Sequence, residues 1–132
     1  MVEARITDGR RIAELLASEL DGREDGHLER LAVVDADTDV EPTADGARAY
    51  DIERARPAGG GALFARVFVH EDRTRVEFER GQERAADAAE AVGLRVRPKA
   101  TTPPKTLVFV EDGGEVKRAT DVFDEVSRSL EE

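Results

Sequence analysis

Apolar residues fall at helical spacing near the start of the chain: Ile12, Leu15, Leu16 and Leu20 share one face of a 3.6-residue repeat, Thr7 and Asp8 precede them, and Gly22 follows. The pattern predicts a capped amphipathic helix beginning at Thr7 or Asp8, with a loop over Asp21 to Gly26. From Leu28 to about Glu79 the period shortens toward two, as strands require. Leu31 to Asp35 is a short apolar run, Arg48 to Arg54 alternates around Tyr50 and Ile52, and Leu63 to His70 is the strongest β segment. Thr74 to Glu79 sets Val76 and Phe78 against Arg75, Glu77 and Glu79 across a hairpin at Glu71 to Arg73. Thr43 to Gly46 and Pro57 with Gly59, Gly60 and Gly61 separate the earlier strands.

Gln82 to Val92 is Ala-rich and stops at Gly93, which predicts a second helix with a narrow stripe of Ala85, Ala88, Ala89 and Val92. Leu94 to Arg97 reads as a short strand closed by Pro98, Ala100 to Lys105 as an extended linker, and Leu107 to Val110 as a buried strand. Asp112-Gly113-Gly114 then turns the chain, Glu115 to Lys117 is placed to pair back, and Thr120 caps a last helix carrying Val122, Phe123, Val126 and Leu130. The expected architecture is α-ββββ-α-ββ-α in one α+β domain over residues 1–132: a mostly antiparallel sheet of five to six strands with three helices on one face. Narrow helical stripes leave the other sheet face in need of cover, and a second copy of the chain is the expected cover, making a two-fold homodimer.

Charge changes this picture. Thirty acids against twenty bases give a net charge of −10, and all but three of the bases are Arg. Like charges on a compact body repel, and molar salt, with a Debye length of about 3 Å, removes most of that penalty. The chain has five Phe, no Trp and no Cys, and its apolar content leans on Ala and Val, which suits concentrated salt. In composition it resembles small acidic proteins of extremely halophilic archaea. That resemblance implies salt dependence and carries over no functional residue. Without Cys there is no thiolate chemistry, and no apolar signal core or membrane-length apolar stretch occurs, so a cytoplasmic protein without membrane attachment is expected.

Four constellations carry candidate chemistry. Asp35, Asp37, Asp39 and Glu41 stand at every second position, and an extended backbone would place them on one face about 7 Å apart, a spacing for a hard cation. Against a calcium loop, Val40 stands where a turning Gly is needed and Gly46 where the bidentate acid belongs; a solvated acidic loop is the simpler reading. Arg95, Arg97 and Lys99 alternate with Leu94 and Val96, and Lys105 follows without an intervening acid, which makes an anion- or partner-binding strand. Pairing with Glu77, Glu79 or Glu111 is the simpler fate of these bases, and neither aromatic platforms nor a recognition helix adjoin them in sequence. Gly59 to Gly61 lead into a strand rather than a helix, so they read as a hairpin loop and not a phosphate cradle. His70 with Glu71 and Asp72 is the best titratable cluster, at a hairpin tip where solvent would leave its pKa ordinary.

Summed by segment, residues 8–45 carry −8, residues 46–110 carry +3 and residues 111–132 carry −5. The functional surface is therefore expected in the mildly basic centre. The leading expectation is a non-enzymatic interaction domain without a cofactor, whose Arg-rich sheet meets an acidic protein or a second subunit. The alternatives are nucleic-acid or phosphate-ligand binding through Arg95, Arg97 and Lys99, and a small enzyme built on His70 with neighbouring carboxylates.

Overall fold

In a computed structural model that describes residues 7–22, 28, 30–101 and 104–130, the first helix, α1 (Gly9–Gly22), starts where its cap predicts. One Asp8 carboxylate oxygen accepts the backbone N–H of Arg10 at 3.0 Å and of Arg11 at 3.3 Å, satisfying two donors that the helix cannot. Ile12, Ala13, Leu16 and Leu20 form its buried face.

The strands are β1 (Leu31–Val34), β2 (Ala47–Ala55), β3 (Gly61–Val69), β4 (Thr74–Phe78), β5 (Arg95–Lys99) and β6 (Lys105–Val110). They form one six-stranded sheet in the order β1-β2-β3-β4-β6-β5, antiparallel at every step. Helix α2 (Gln82–Ala91) carries the chain from β4 to the far edge, so β6 returns between β4 and β5. Helix α3 (Val116–Ser129) closes the fold. The order α-ββββ-α-ββ-α and the α+β class are as the periodicity predicts.

All three helices cover the same sheet face. Ile52, Ala65, Val67, Val69, Val76, Phe78, Val108 and Val110 point into one core with the helical stripes. A bulge in β3 makes this possible, because the register passes from Ile52↔Ala65 to Glu53↔Leu63 and leaves Phe64 as the extra residue. Phe64 and Ala65 are then both fully buried. Phe64 meets Phe78 edge-on with ring centroids 5.9 Å apart, and Phe123 of α3 closes the cluster at 5.1 Å from Phe78.

Two expectations at the C-terminal end are corrected. Glu115 to Lys117 do not pair back as a strand: Gly113–Glu115 is a 3-10 turn that runs directly into α3. Thr120 is interior to α3, its hydroxyl donating to the Lys117 carbonyl; α3 itself starts after Glu115 without a side-chain cap, and Asp112 caps the preceding 3-10 turn, its carboxylate accepting the Glu115 N–H at 3.0 Å. β5 also runs through Pro98, which an edge strand tolerates because a missing N–H leaves no ladder bond empty on the solvent side.

Candidate functional site

In an antiparallel pair, residues opposite each other point to the same side, so the register gives the population of the face that no helix covers. Arg48 lies opposite Phe68, Phe68 opposite Arg75, Arg75 opposite Phe109, and Phe109 opposite Arg95. One row across five strands therefore reads Arg, Phe, Arg, Phe, Arg. The Arg75 guanidinium sits 4.5 Å from the centre of the Phe68 ring, and those of Arg73 and Arg95 sit 5.5 and 5.6 Å from that of Phe109. A second row runs Asp51, Arg66, Glu77, Leu107, Arg97, and Lys99 stands opposite Lys105.

This face is not bare. Phe109 is 6% exposed and Leu107 8%, although no helix lies over them, because long arginine stems cover apolar surface while their heads stay wet. A polar network tightens the cover. Arg75 pairs with Glu77 at 3.1 Å and Lys105 reaches both Glu77 at 3.6 Å and Glu79 at 3.0 Å, with the Glu77 side chain 4% exposed.

The four bases singled out by sequence lie together here and divide into two kinds. Arg95 pairs with Glu111 at 3.3 Å, and Lys105 with Glu77 and Glu79, as expected of ordinary cross-strand partners. Arg97 and Lys99 are exposed on the edge strand and make no ion pair among the described residues. What the sequence did not show is the aromatic component at β5: Phe109 reaches Arg75 and Arg95 only through the strand order, whereas Phe68 meets Arg75 across the β3–β4 hairpin.

The acidic run is not brought to one face. β1 ends at Val34, and Asp35 takes a left-handed conformation with φ 52°, so the extended geometry needed for alternating ligands is lost. The segment is a turn built on Asp37, whose N–H donates to the Ala49 carbonyl and whose carboxylate accepts the Asp39 N–H, while Val40 is buried beneath it. Asp35, Asp37, Asp39 and Glu41 are all exposed, and among the described residues no group of three or more His, Asp or Glu is placed to hold a metal ion. A cavity of about 240 Å³ between this turn and α1 is smaller than the ~300–1,000 Å³ of small-molecule sites.

His70 departs from its expected place in solvent. It is 4% exposed, with Nδ1 3.0 Å from the Ala44 carbonyl and Nε2 3.0 Å from a guanidinium nitrogen of Arg75. A guanidinium only donates, so this geometry assigns the proton to Nδ1 and makes Nε2 the acceptor. Burial, with Arg73 and Arg75 nearby, holds the pKa below its ordinary 6.5 against the opposing pull of the Ala44 carbonyl and Asp72. Both ring nitrogens are engaged in holding the 43–46 loop to β4. Glu71 and Asp72 are exposed, and Asp72 pairs with Arg73 instead.

Fold and face together define an α+β domain with a single helix-covered sheet and an arginine-clad open face. The chain belongs to a family of unknown function, DUF7993, which it matches over residues 1–132. No curated protein and no solved structure matches it. Among the described residues no helix is long and apolar enough to cross a membrane.

Proposed function

We propose that the protein is a non-enzymatic interaction domain whose β5–β6 half-face binds an acidic segment of a partner protein. The observation that carries this reading is the pair Arg97 and Lys99: exposed, without an ion pair among the described residues, and held beside Phe109 and Leu107 on a strand whose backbone is paired on one side. A sheet fixes their backbone spacing in advance, so the ordering cost of binding on this side is confined to the two side chains. Arg97 offers a planar fork that takes a carboxylate bidentately, and Lys99 adds a second positive charge on the same face.

Charge argues for an acidic partner over a second copy. The β4–β6–β5 half of the face carries Arg73, Arg75, Arg95, Arg97, Lys99 and Lys105 against Glu77, Glu79 and Glu111, so two such half-faces stacked on each other would repel. The guanidinium cover also removes the bare apolar surface that made a second copy attractive. Nucleic-acid bases stack on open aromatic faces, and Phe68 and Phe109 are already stacked by arginine.

The test uses a fluorescent peptide of ten residues alternating Glu and Ala, measured by anisotropy at the lowest KCl concentration that retains the folded far-UV circular dichroism. The expected result is binding that the double substitution Arg97→Ala with Lys99→Ala weakens at least tenfold. Peptide affinity unchanged by that double substitution, or an oligothymidine that binds tighter than the peptide through the same two residues, overturns the reading. So does a sedimenting dimer that the same double substitution dissociates.

A further inference from the structure

On the helix-covered side, beyond the end of the core, four arginines from separate stretches of chain meet in one cleft: Arg30 ahead of β1, Arg54 in β2, Arg56 in the β2–β3 hairpin and Arg80 after β4. The cleft has a volume of about 570 Å³, within the range of about 300–1,000 Å³ typical of small-ligand sites. Pro57 and Leu130 give it apolar walls, and no acid lines it among the described residues. In a chain of net charge −10, four arginines lining one cleft run against composition.

Arg54 supplies the rigid floor. It is 8% exposed, and it donates from Nε to the Ser127 hydroxyl at 3.0 Å and from Nη2 to the Ser127 carbonyl at 3.1 Å. Those bonds hold it against the last turn of α3, where a cation also offsets the carbonyl end of the helix. Arg56 and Arg80 are exposed at the rim and make no ion pair among the described residues. A buried, doubly anchored arginine with two solvent-facing ones beside it is how a site presents planar donors to several oxygens at once.

We infer that this cleft binds a phosphate-bearing small anion, with a phosphate chain against Arg54, Arg56 and Arg80 and any organic part against Pro57 and Leu130. A single carboxylate would leave most of the donors unmatched; a diphosphate presents enough oxygens for three guanidinium groups. The site shares no residue with the Arg97 and Lys99 surface.

Isothermal titration with inorganic pyrophosphate, and separately with ADP, tests the inference on the full chain under the same folding-permissive KCl. The expected result is a dissociation constant below about 1 mM for pyrophosphate. Arg56→Gln with Arg80→Gln, both at exposed positions that leave Arg54 and the core intact, should weaken it at least tenfold. Arg97→Ala with Lys99→Ala should leave it unchanged, which separates this site from the sheet face. ADP binding at least tenfold tighter than pyrophosphate assigns the apolar walls to an organic group, and equal affinities assign the site to the phosphate chain alone. Absence of pyrophosphate binding to the unsubstituted protein, or equal weakening by the two double substitutions, overturns the inference.

Discussion

Replacing Gly9 by Ala should destabilise this protein, against the usual sign for a helical glycine. In an open first turn the change would favour the helix by up to about 1 kcal/mol, because alanine loses less backbone freedom. Here the helix end is pressed onto the β3–β4 hairpin. The Gly9 N–H donates to the Glu71 carbonyl at 3.0 Å, and the Gly9 carbonyl accepts the Thr74 hydroxyl at 2.8 Å. A Cβ on Gly9 would overlap the His70 backbone carbonyl and stand 2.5 Å from that of Arg73, and neither is a side chain that can swing away. α1 must lift off the hairpin. That forfeits a backbone hydrogen bond worth about 1 kcal/mol and leaves the fully buried Thr74 hydroxyl unmatched at a cost of about 1–3 kcal/mol. With the propensity gain subtracted and some overpacking added, the net loss is about 2–4 kcal/mol.

Urea unfolding at fixed KCl, followed by far-UV circular dichroism, reads this directly. With a slope of about 1.5 kcal/mol/M for a chain of this size, the midpoint should fall by about 1–3 M. Ser18→Ala, on the exposed side of the same helix, should leave the midpoint equal or slightly higher. Because Gly9 and Thr74 share one hydrogen bond, Gly9→Ala should cost less in a Thr74→Val background than alone. A Gly9→Ala midpoint at or above that of the parent would refute the reasoning, since it would mean that α1 is not seated on the hairpin.

Three further outcomes are expected. His70 has a lowered folded pKa, so the unfolded chain binds the extra proton first: stability should be fully present above pH 6.5 and fall as the pH drops below it, by at most about 1.4 kcal/mol per unit from this group. His70→Gln should flatten that slope between pH 7 and pH 5.5, and an unchanged slope would assign it elsewhere. Phe123→Ala removes the ring that joins α3 to Phe64 and Phe78 and should cost about 3–5 kcal/mol in the urea titration; a loss under 1 kcal/mol would show a core that collapses around the gap. Raising KCl from 0.1 M to 2 M should raise the thermal midpoint, each kcal/mol of relieved repulsion appearing as about 3–5 °C, and a flat midpoint would contradict the salt dependence inferred from the net charge of −10.

The element order was legible because each segment carries its own period and its own stop, as Asp8 and the helix stripe of α1 show. The start of α3 was missed for a local reason. Glu115-Val116-Lys117 alternates like a strand, yet Asp112 and Glu115 stand three apart as a capping pair. The Asp112 carboxylate takes the Glu115 N–H, and the Glu115 carboxylate takes the Glu111 N–H at 2.8 Å. The Asp112-x-x-Glu115 spacing, present in the sequence, thus caps the 3-10 turn that leads into α3 and marks the helix entry that Thr120 does not. The open face was only half legible. Alternation placed Arg95, Arg97 and Lys99 on one side, but their aromatic neighbours come from β6, whose place between β4 and β5 is a property of the crossover through α2 and not of any local stretch. His70 reads as solvent-exposed in the sequence because it stands at a hairpin end, and only the 43–46 loop, folding over it, buries it.

The same row explains why the bases over its rings are arginine. A sheet with helices on one side only must protect its other side, and here the protection comes from side chains of the sheet itself: Phe109 is 6% exposed beneath Arg73 and Arg95. Arginine suits that task because its planar, weakly hydrated head stacks on a ring and still donates at its edge, whereas an ammonium keeps its water. Four bases of the mildly basic centre, Arg73, Arg75, Arg95 and Lys105, cover or tie down the open half-face. Arg97 stands opposite Leu107 and shares in its cover, but neither Arg97 nor Lys99 has an acid to meet among the described residues. In an acidic protein, two exposed cations on one strand that meet no acid among the described residues run against the composition of the whole chain, and the proposed recognition at the β5 edge rests on their charged heads being left for a partner.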